Sequence, residues 1–309
     1  MPANQFSSGD VIADRRADYA RMLAEGGDFS AAAELIEQAL EIAAGWAAGW
    51  FRLGEYREKA GLETAAEAYR QALALEPDDV FGARLKLALI GAEEMPDQPP
   101  SRYVEGLFDD YADRFDTALV EKLDYSVPGK LADLVAPFAP FRNTVDLGCG
   151  TGLFGAEIRG RTECLEGFDL SANMLARAEA KALYDHLGQS DLSLSAEASG
   201  LFSADMLKHR ADLVSAADVL MYLGSLETVF PLVLDLLVPA GFFAFSVEDA
   251  GEGKGFVLRD SLRYAHSEGF IRDLIARHGL DLLDLRRTVI RMDAGKPING
   301  ILFLSRKPG

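Results

Sequence analysis

The sequence predicts a two-domain chain: an α/β domain with a mostly parallel sheet, preceded by an all-α helical-repeat domain. Three observations carry that prediction. The 309 residues are more than one hydrophobic core usually serves. The first hundred residues show helical periodicity with few β-branched runs, and a proline-rich stretch then interrupts it. Beyond that stretch, apolar strand-like runs alternate with amphipathic segments, the pattern of a sheet covered by helices on both faces.

Residues 1–12 read as a tail and residues 13–94 as helical repeats. Ala32, Ile36, Ala39 and Ala44 recur 33 residues later as Ala65, Tyr69, Ala72 and Pro77, a small, large, small, helix-end order. The second copy, GWFRLGEYREKAGLETAAEAYRQALALEPDD, resembles the tetratricopeptide motif through Trp50, Leu53, Gly54, Gly61, Ala65, Tyr69, Ala72 and Pro77. Small residues let paired helices approach while large ones fill the groove between them. A further helix is expected near Val80 to Glu94. With fewer than the three repeats that stacking normally needs, the array is expected to pack on its neighbour domain or on a second chain. A docking groove for a protein or peptide partner and a helical cap or self-association arm both fit.

Residues 95–102 form the linker, because MPDQPPS from Met95 to Ser101 cannot continue a helix. Strand-like runs follow at Thr144–Leu147, Leu165–Leu170, Ala211–Ala217, Phe242–Val247, Leu283–Ile290 and Ile298–Leu304. In such a sheet the ligand belongs at the carboxyl ends of the strands.

Charge and composition narrow the function. Thirty-one basic and 49 acidic side chains leave a net charge of -18, which repels phosphate backbones and anionic membranes, so no nucleic-acid or membrane partner is expected. The start, MPANQFSSGD, has no basic region followed by an apolar one, and no secretory signal is expected. The apolar run Val229–Val247 is broken by Pro231, Asp235, Pro239 and Gly241 and suits a buried helix, turn and strand better than a membrane span. Cys149 and Cys164 have no disulfide or zinc spacing and read as small buried side chains, and a cytoplasmic location is expected. No His, Cys and carboxylate cluster has metal-ligand spacing, so no metal is expected.

The chemistry centres on TVDLGCGTGLFG, Thr144 to Gly155. From Gly148 it reads GxGxG, and from Gly150 it reads GxGxxG, the dinucleotide fingerprint. Gly148, Gly150 and Gly152 remove side chains so that backbone amides can approach a nucleotide-like ligand. Asp169, nineteen residues past Gly150, suits the ribose of either cofactor. Asp146, inside the strand ahead of the loop, discriminates: it orients the loop or holds an ammonium group, and would repel a pyrophosphate. Asp191, in QSDL after the third strand, is placed to accept from an adenine amino group. As a set these acids suit S-adenosylmethionine, which is cationic and carries no phosphate.

VDLGCGTG resembles the first motif of class I S-adenosylmethionine-dependent methyltransferases, FDLSANML the second-strand acid and its helix, and ADLVSAADVLMYLG the fourth-strand motif beside the methyl group. VPAGFFAFSVE matches the fifth strand and GKPINGILFLSRKPG the closing antiparallel strand, so the resemblance covers residues 103–309. With its repeats the chain resembles the bacterial family of tetratricopeptide-repeat-containing predicted methyltransferases. The resemblance implies a Rossmann-like, seven-stranded, mostly parallel sheet. It also places Leu170 and Met174 with Asp169, and Leu192 with Asp191, at the cofactor.

The implied reaction is in-line methyl transfer to the oxygen or nitrogen of a small-molecule acceptor. A protein substrate docked on the repeats and a non-catalytic cofactor-binding scaffold are the rivals. Transfer from a sulfonium needs a base only for a hydroxyl or protonated amine. If one is used, His266 in LRYAHSEGF is the candidate, at the expected rim of the methyl site between the fifth strand and the last large helix, with Tyr264 and Tyr222 as substrate contacts. His186, His209 and His278 read as surface helix or loop and have no assigned role. In YVEGLFDDYADRFDTALVEKLDY, Phe108, Tyr111 and Phe115 share a helical stripe, Tyr111 is the expected lid contact to the cofactor, and the acidic run reads as a solvated face.

Overall fold

In a computed structural model, residues 7–112, 125–253, 255–293 and 295–309 are described, the side chains of residues 110 and 111 excepted. The chain divides into two compact units, residues 1–106 and 107–309.

The first unit is helical: α1 Val11–Glu25, α2 Phe29–Ile42, α3 Ala47–Lys59, α4 Ala65–Leu75 and α5 Ala83–Leu89. The tail is shorter than expected, because Asp10 starts α1 by accepting from the N–H groups of Ile12 and Ala13 at 2.8 and 3.0 Å. Asp28 caps α2 in the same way through Ala31. Ala32, Ile36 and Ala39 on α2 are buried, as are Ala65, Tyr69 and Ala72 on α4, so the repeated positions face the interior in both copies. Gly54 makes room for the Tyr69 ring, which a β-carbon would meet at 2.5 Å. The expected helix over Val80 to Glu94 shrinks to α5, started by Asp79, which accepts from the backbone of Ala83 and Arg84. Residues 95–100 are not helical, and α6, Ser101–Tyr111, begins inside the expected linker.

The second unit is built on β1 Phe141–Leu147, β2 Thr162–Asp169, β3 His186–Gln189, β4 Ala211–Ala216 and β5 Leu237–Asp249, parallel in the order β3-β2-β1-β4-β5. Helices α7 Val127–Val135, α8 Leu153–Ile158, α9 Ala172–Ala180, α10 Val229–Leu236 and α11 Glu268–Arg277 accompany the sheet. Two apolar clusters form its core, one holding Phe168, Phe230, Phe243 and Phe245, the other Leu131, Phe141, Phe154 and Leu165. The antiparallel strands β8 Asp281–Asp293 and β9 Lys296–Arg306 close the sheet, with β9 paired to β5 from Phe242 to Glu248.

Among the described residues the sheet has nine strands rather than the expected seven. The addition is a hairpin, β6 Phe256–Leu258 and β7 Tyr264–His266, in which β7 pairs in parallel with only Glu248 and Asp249 at the end of β5. Three-residue strands carry too little alternation to register in a sequence pattern. His186 likewise lies on β3, not on a helix or loop. No helix among the described residues is long and apolar enough to cross a membrane.

Candidate functional site

The order of the sheet reverses between β1 and β4, and the loop leaving β1 sits at that switch point. Gly148 has φ 63°, and a β-carbon there would lie 2.3 Å from Val219 Cγ2, so the residues after β4 press directly on the loop. Gly152 has φ 89° and starts α8 in a left-handed conformation that a side chain would strain.

Register explains the position of Asp146. On β1 it lies opposite Gly167 of β2 and Ser215 of β4. Ser215 Oγ donates to Asp146 Oδ1 at 2.9 Å, and the space over Gly167 is filled by Tyr184, whose hydroxyl donates to Asp146 Oδ2 at 2.8 Å. Tyr184 also lies against Gly155, where a β-carbon would meet its hydroxyl at 2.4 Å. Tyr184 is therefore the keystone that the sequence reading missed: Gly155, expected to let the first helix pack closely on the sheet, makes room for the Tyr184 ring, as does Gly167.

The acid that holds the loop is Asp169, not Asp146. At the end of β2, Asp169 Oδ2 accepts from Gly150 N at 2.8 Å and Oδ1 from Ser171 N at 2.9 Å. Burial pushes Asp146 up to about 7, against the opposing effect of its Tyr184 and Ser215 hydrogen bonds, with Asp169 adding repulsion. Burial pushes Asp169 up to about 6, opposed by the Ser171 and Gly150 N–H groups. Neither carboxyl has a cationic partner among the described residues.

The raised Asp146 gives a pH prediction. Between the ordinary value of 3.8 and about 7, the folded chain holds a proton that the unfolded chain releases. The resulting stabilisation is full below the lower value and is lost as pH rises through the upper one. Asp146→Asn should remove that slope, worth up to roughly 4 kcal/mol, and leave the smaller one from Asp169. Urea unfolding from pH 4.5 to 7.5 reads it, and an unchanged slope contradicts the assignment.

The remaining expected cofactor residues divide. Leu170 is half-buried and its carbonyl accepts from Gln189 Nε2 at 2.8 Å. Asp191 is half-buried and turns back on its own loop, accepting from Ser193 N and Oγ at 2.9 and 2.6 Å. Leu192 is buried in the core beside Phe168. Met174 is fully buried on the inward face of α9, where its N–H donates to the capping Ser171 Oγ. The side chain of Tyr111 and all of Phe115 lie outside the described residues.

Two neighbours of Tyr111 do reach the site. Phe108 meets the Tyr222 ring edge-on, with centroids 4.8 Å apart. Asp109, read as part of a solvated acidic face, instead accepts from Ser171 Oγ at 2.5 Å and from Asn173 N at 3.5 Å, adding a second cap to α9. The last turn of α6 thus spans from the Asp169 end of the loop to the Tyr222 end. Asp109→Ala should accelerate ligand release roughly three- to thirtyfold, the kinetic equivalent of a lost cap. Stopped-flow displacement measures it, and an unchanged rate removes α6 from the site.

His266 and Tyr264 are also corrected. Both are fully buried on β7, so neither stands at a rim. His266 Nε2 lies 2.8 Å from the Gly224 carbonyl oxygen, and burial holds the ring down to about 4, which keeps it neutral and makes it a poor proton acceptor. The helix after it is capped by Ser267, whose Oγ accepts from Phe270 N. Tyr222 is half-buried beyond β4, and its hydroxyl accepts from Arg263 Nε at 3.2 Å. Behind it lies a buried ion cluster that the sequence did not show: Arg291, 3% exposed, donates to both oxygens of Asp218 at 3.0 and 2.9 Å and to Glu248. Asp218 adopts φ 59°, an uncommon conformation for a non-glycine residue, immediately before Val219.

Residues 145–243, which include the glycine loop, the β2 acid and the β4 turn, match the family model for a methyltransferase domain. A curated trans-aconitate 2-methyltransferase from Delftia acidovorans is 31% identical over 162 residues, half of this chain. The match spans 57% of that protein's length. Among solved structures, the Burkholderia thailandensis 1,6-didemethyltoxoflavin-N1-methyltransferase, with 1,6-didemethyltoxoflavin and S-adenosylhomocysteine bound, superposes with a TM-score of 0.53 at 16% identity. That superposition covers 70% of this chain and 94% of the other, and shows the same fold.

Proposed function

We propose that the methyltransferase domain matched at residues 145–243 makes this chain an S-adenosylmethionine-dependent enzyme acting on a small-molecule acceptor. The observation that carries the reading is the pair Asp146 and Asp169: two buried carboxyls flanking a glycine loop, both raised by burial and neither paired with a cation among the described residues. Such a site gains most from a cationic ligand, whose charge lets both acids ionise. A pyrophosphate at the same loop would add repulsion to an already unfavourable pair of burials.

S-adenosylmethionine, when bound, supplies a methyl group already activated on sulfur. The residues of this chain supply position. Asp169 keeps lone pairs beyond the two backbone bonds and accepts the ribose hydroxyls, while Gly148 lets Val219 press on the loop and so fixes its course. The β4 turn, fixed on the loop by Val219, carries Tyr222 toward the acceptor. Orientation of this kind is worth up to roughly 7 to 11 kcal/mol of barrier.

The small-molecule acceptor rests on the relatives: the Delftia acidovorans protein is named for trans-aconitate, and the Burkholderia thailandensis structure holds 1,6-didemethyltoxoflavin. The helices α1 to α4 read as tetratricopeptide-like hairpins, supported by the buried small, large, small triplets of α2 and α4. Cys149 and Cys164 are both free thiols, in keeping with a reducing cytoplasm. Calorimetry on the full chain tests the cofactor: binding of S-adenosylhomocysteine without binding of NADH is expected, and the opposite preference or no binding overturns the reading.

A further inference from the structure

We propose that Arg263, with the hydroxyl of Tyr222, forms an anion subsite that holds a carboxylate of the acceptor. The inference rests on the methyltransferase reading and names the class of its substrate. It starts from how the cations near the strand ends are used. Arg291 is saturated by Asp218 and Glu248. Arg287 is held by Asp249 and Glu268. Arg263 differs: Nε donates to Tyr222 at 3.2 Å and the guanidinium lies over the Tyr222 ring, 5.8 Å from its centroid, which fixes the plane of the fork.

Among the described residues the terminal nitrogens of that fork make no hydrogen bond, and their one ion pair is long and partly exposed. The nearest carboxylate, Asp293, stands at 3.6 Å, beyond hydrogen-bond distance, and its side chain is half exposed. The Arg263 side chain is only 26% exposed, so its charge acts in partly excluded water. A planar fork of fixed orientation matches a carboxylate better than a point charge does. Tyr222 adds a donor, because its oxygen accepts from Arg263 and leaves its own O–H hydrogen available.

Tyr222 places this pair. It ends the turn whose Val219 touches the glycine loop, and Phe108 meets its ring edge-on. The chain's net charge of -18 gives no general attraction for anions, so recognition falls on this one local group.

The test uses the full chain saturated with S-adenosylhomocysteine and titrated by calorimetry with succinate, citrate, benzoate, neutral succinamide and inorganic phosphate. The expected result is binding of at least one carboxylate but not succinamide. Arg263→Gln should weaken that binding at least tenfold, Arg263→Lys less, and both should leave the S-adenosylhomocysteine Kd within twofold, which also shows the variants are folded. Tyr222→Phe should weaken carboxylate binding several-fold. Absence of carboxylate binding, equal binding to Arg263→Gln, or an Arg263-dependent preference for phosphate overturns the inference while the methyltransferase reading stands. Failure of the parent chain to bind S-adenosylhomocysteine overturns both.

Discussion

Replacing Asp169 with alanine should weaken S-adenosylhomocysteine binding at least a hundredfold, about 2.7 kcal/mol. The size follows from two losses at one side chain. Asp169 fixes the loop through Gly150 N and the start of α9 through Ser171 N, and in the proposed complex it also accepts from the ribose hydroxyls. Hydrogen bonds to a charged acceptor in a buried setting are worth about 1.5 to 3 kcal/mol each, and the backbone donors would be left unsatisfied. Asp169→Asn separates the contributions: the amide keeps one acceptor oxygen and loses the charge, so its affinity should fall between alanine and the parent. Because Asp169 sits at about 6, parent affinity should also decline as pH drops below that value and the carboxyl stops accepting from both hydroxyls. Calorimetry at pH 5 and 7.5 on both variants reads these effects, and an Asp169→Ala protein that binds within threefold of the parent would remove this residue from the site.

The largest expected stability change is at Arg291. Arg291→Ala removes the hydrogen-bonded counter-charge of buried Asp218 and Glu248 and leaves them only the longer-range field of Arg263, a change that costs about 3 to 5 kcal/mol. The sign of its pH dependence is fixed by Asp218. Burial raises that carboxyl even with Arg291 present, so without the arginine it protonates more readily. The stability deficit should therefore shrink as pH falls and widen as pH rises. Urea unfolding at pH 5 and 8 measures both quantities. The triple variant Arg291→Met, Asp218→Asn, Glu248→Gln should recover most of the loss, since a neutral cluster of similar volume carries no unpaired charge. A single variant within 1 kcal/mol of the parent at both pH values would mean the cluster is wetter than its burial implies.

Much of the parallel sheet was legible because β1, β2, β4 and β5 are buried and carry long apolar runs. The edge strand β3 was not, since its four residues are mostly half-buried or exposed and their composition carries little apolar signal. At the site, Asp169 was legible because one strand and one loop fix its distance from Gly150. The division of labour between Asp146 and Asp169 was not: it depends on Tyr184 and Ser215, which reach Asp146 from 38 and 69 residues away. His266 misled for a related reason. A histidine between a strand and a helix reads as exposed unless the hairpin that buries it is recognised, and that hairpin is built from three-residue strands. Arg291 and Arg263 gave no signal because an arginine's partners across a sheet have no sequence spacing.

The hairpin β6–β7 joins the main sheet only at Glu248 and Asp249, yet it carries Arg263 to the acceptor side of the loop. The cofactor half of the site, from β1 to β4, is built without it. If Arg263 holds the acceptor as proposed, acceptor preference is a graftable trait: the segment between β5 and α11 can be exchanged while β1 to β4 keep their register.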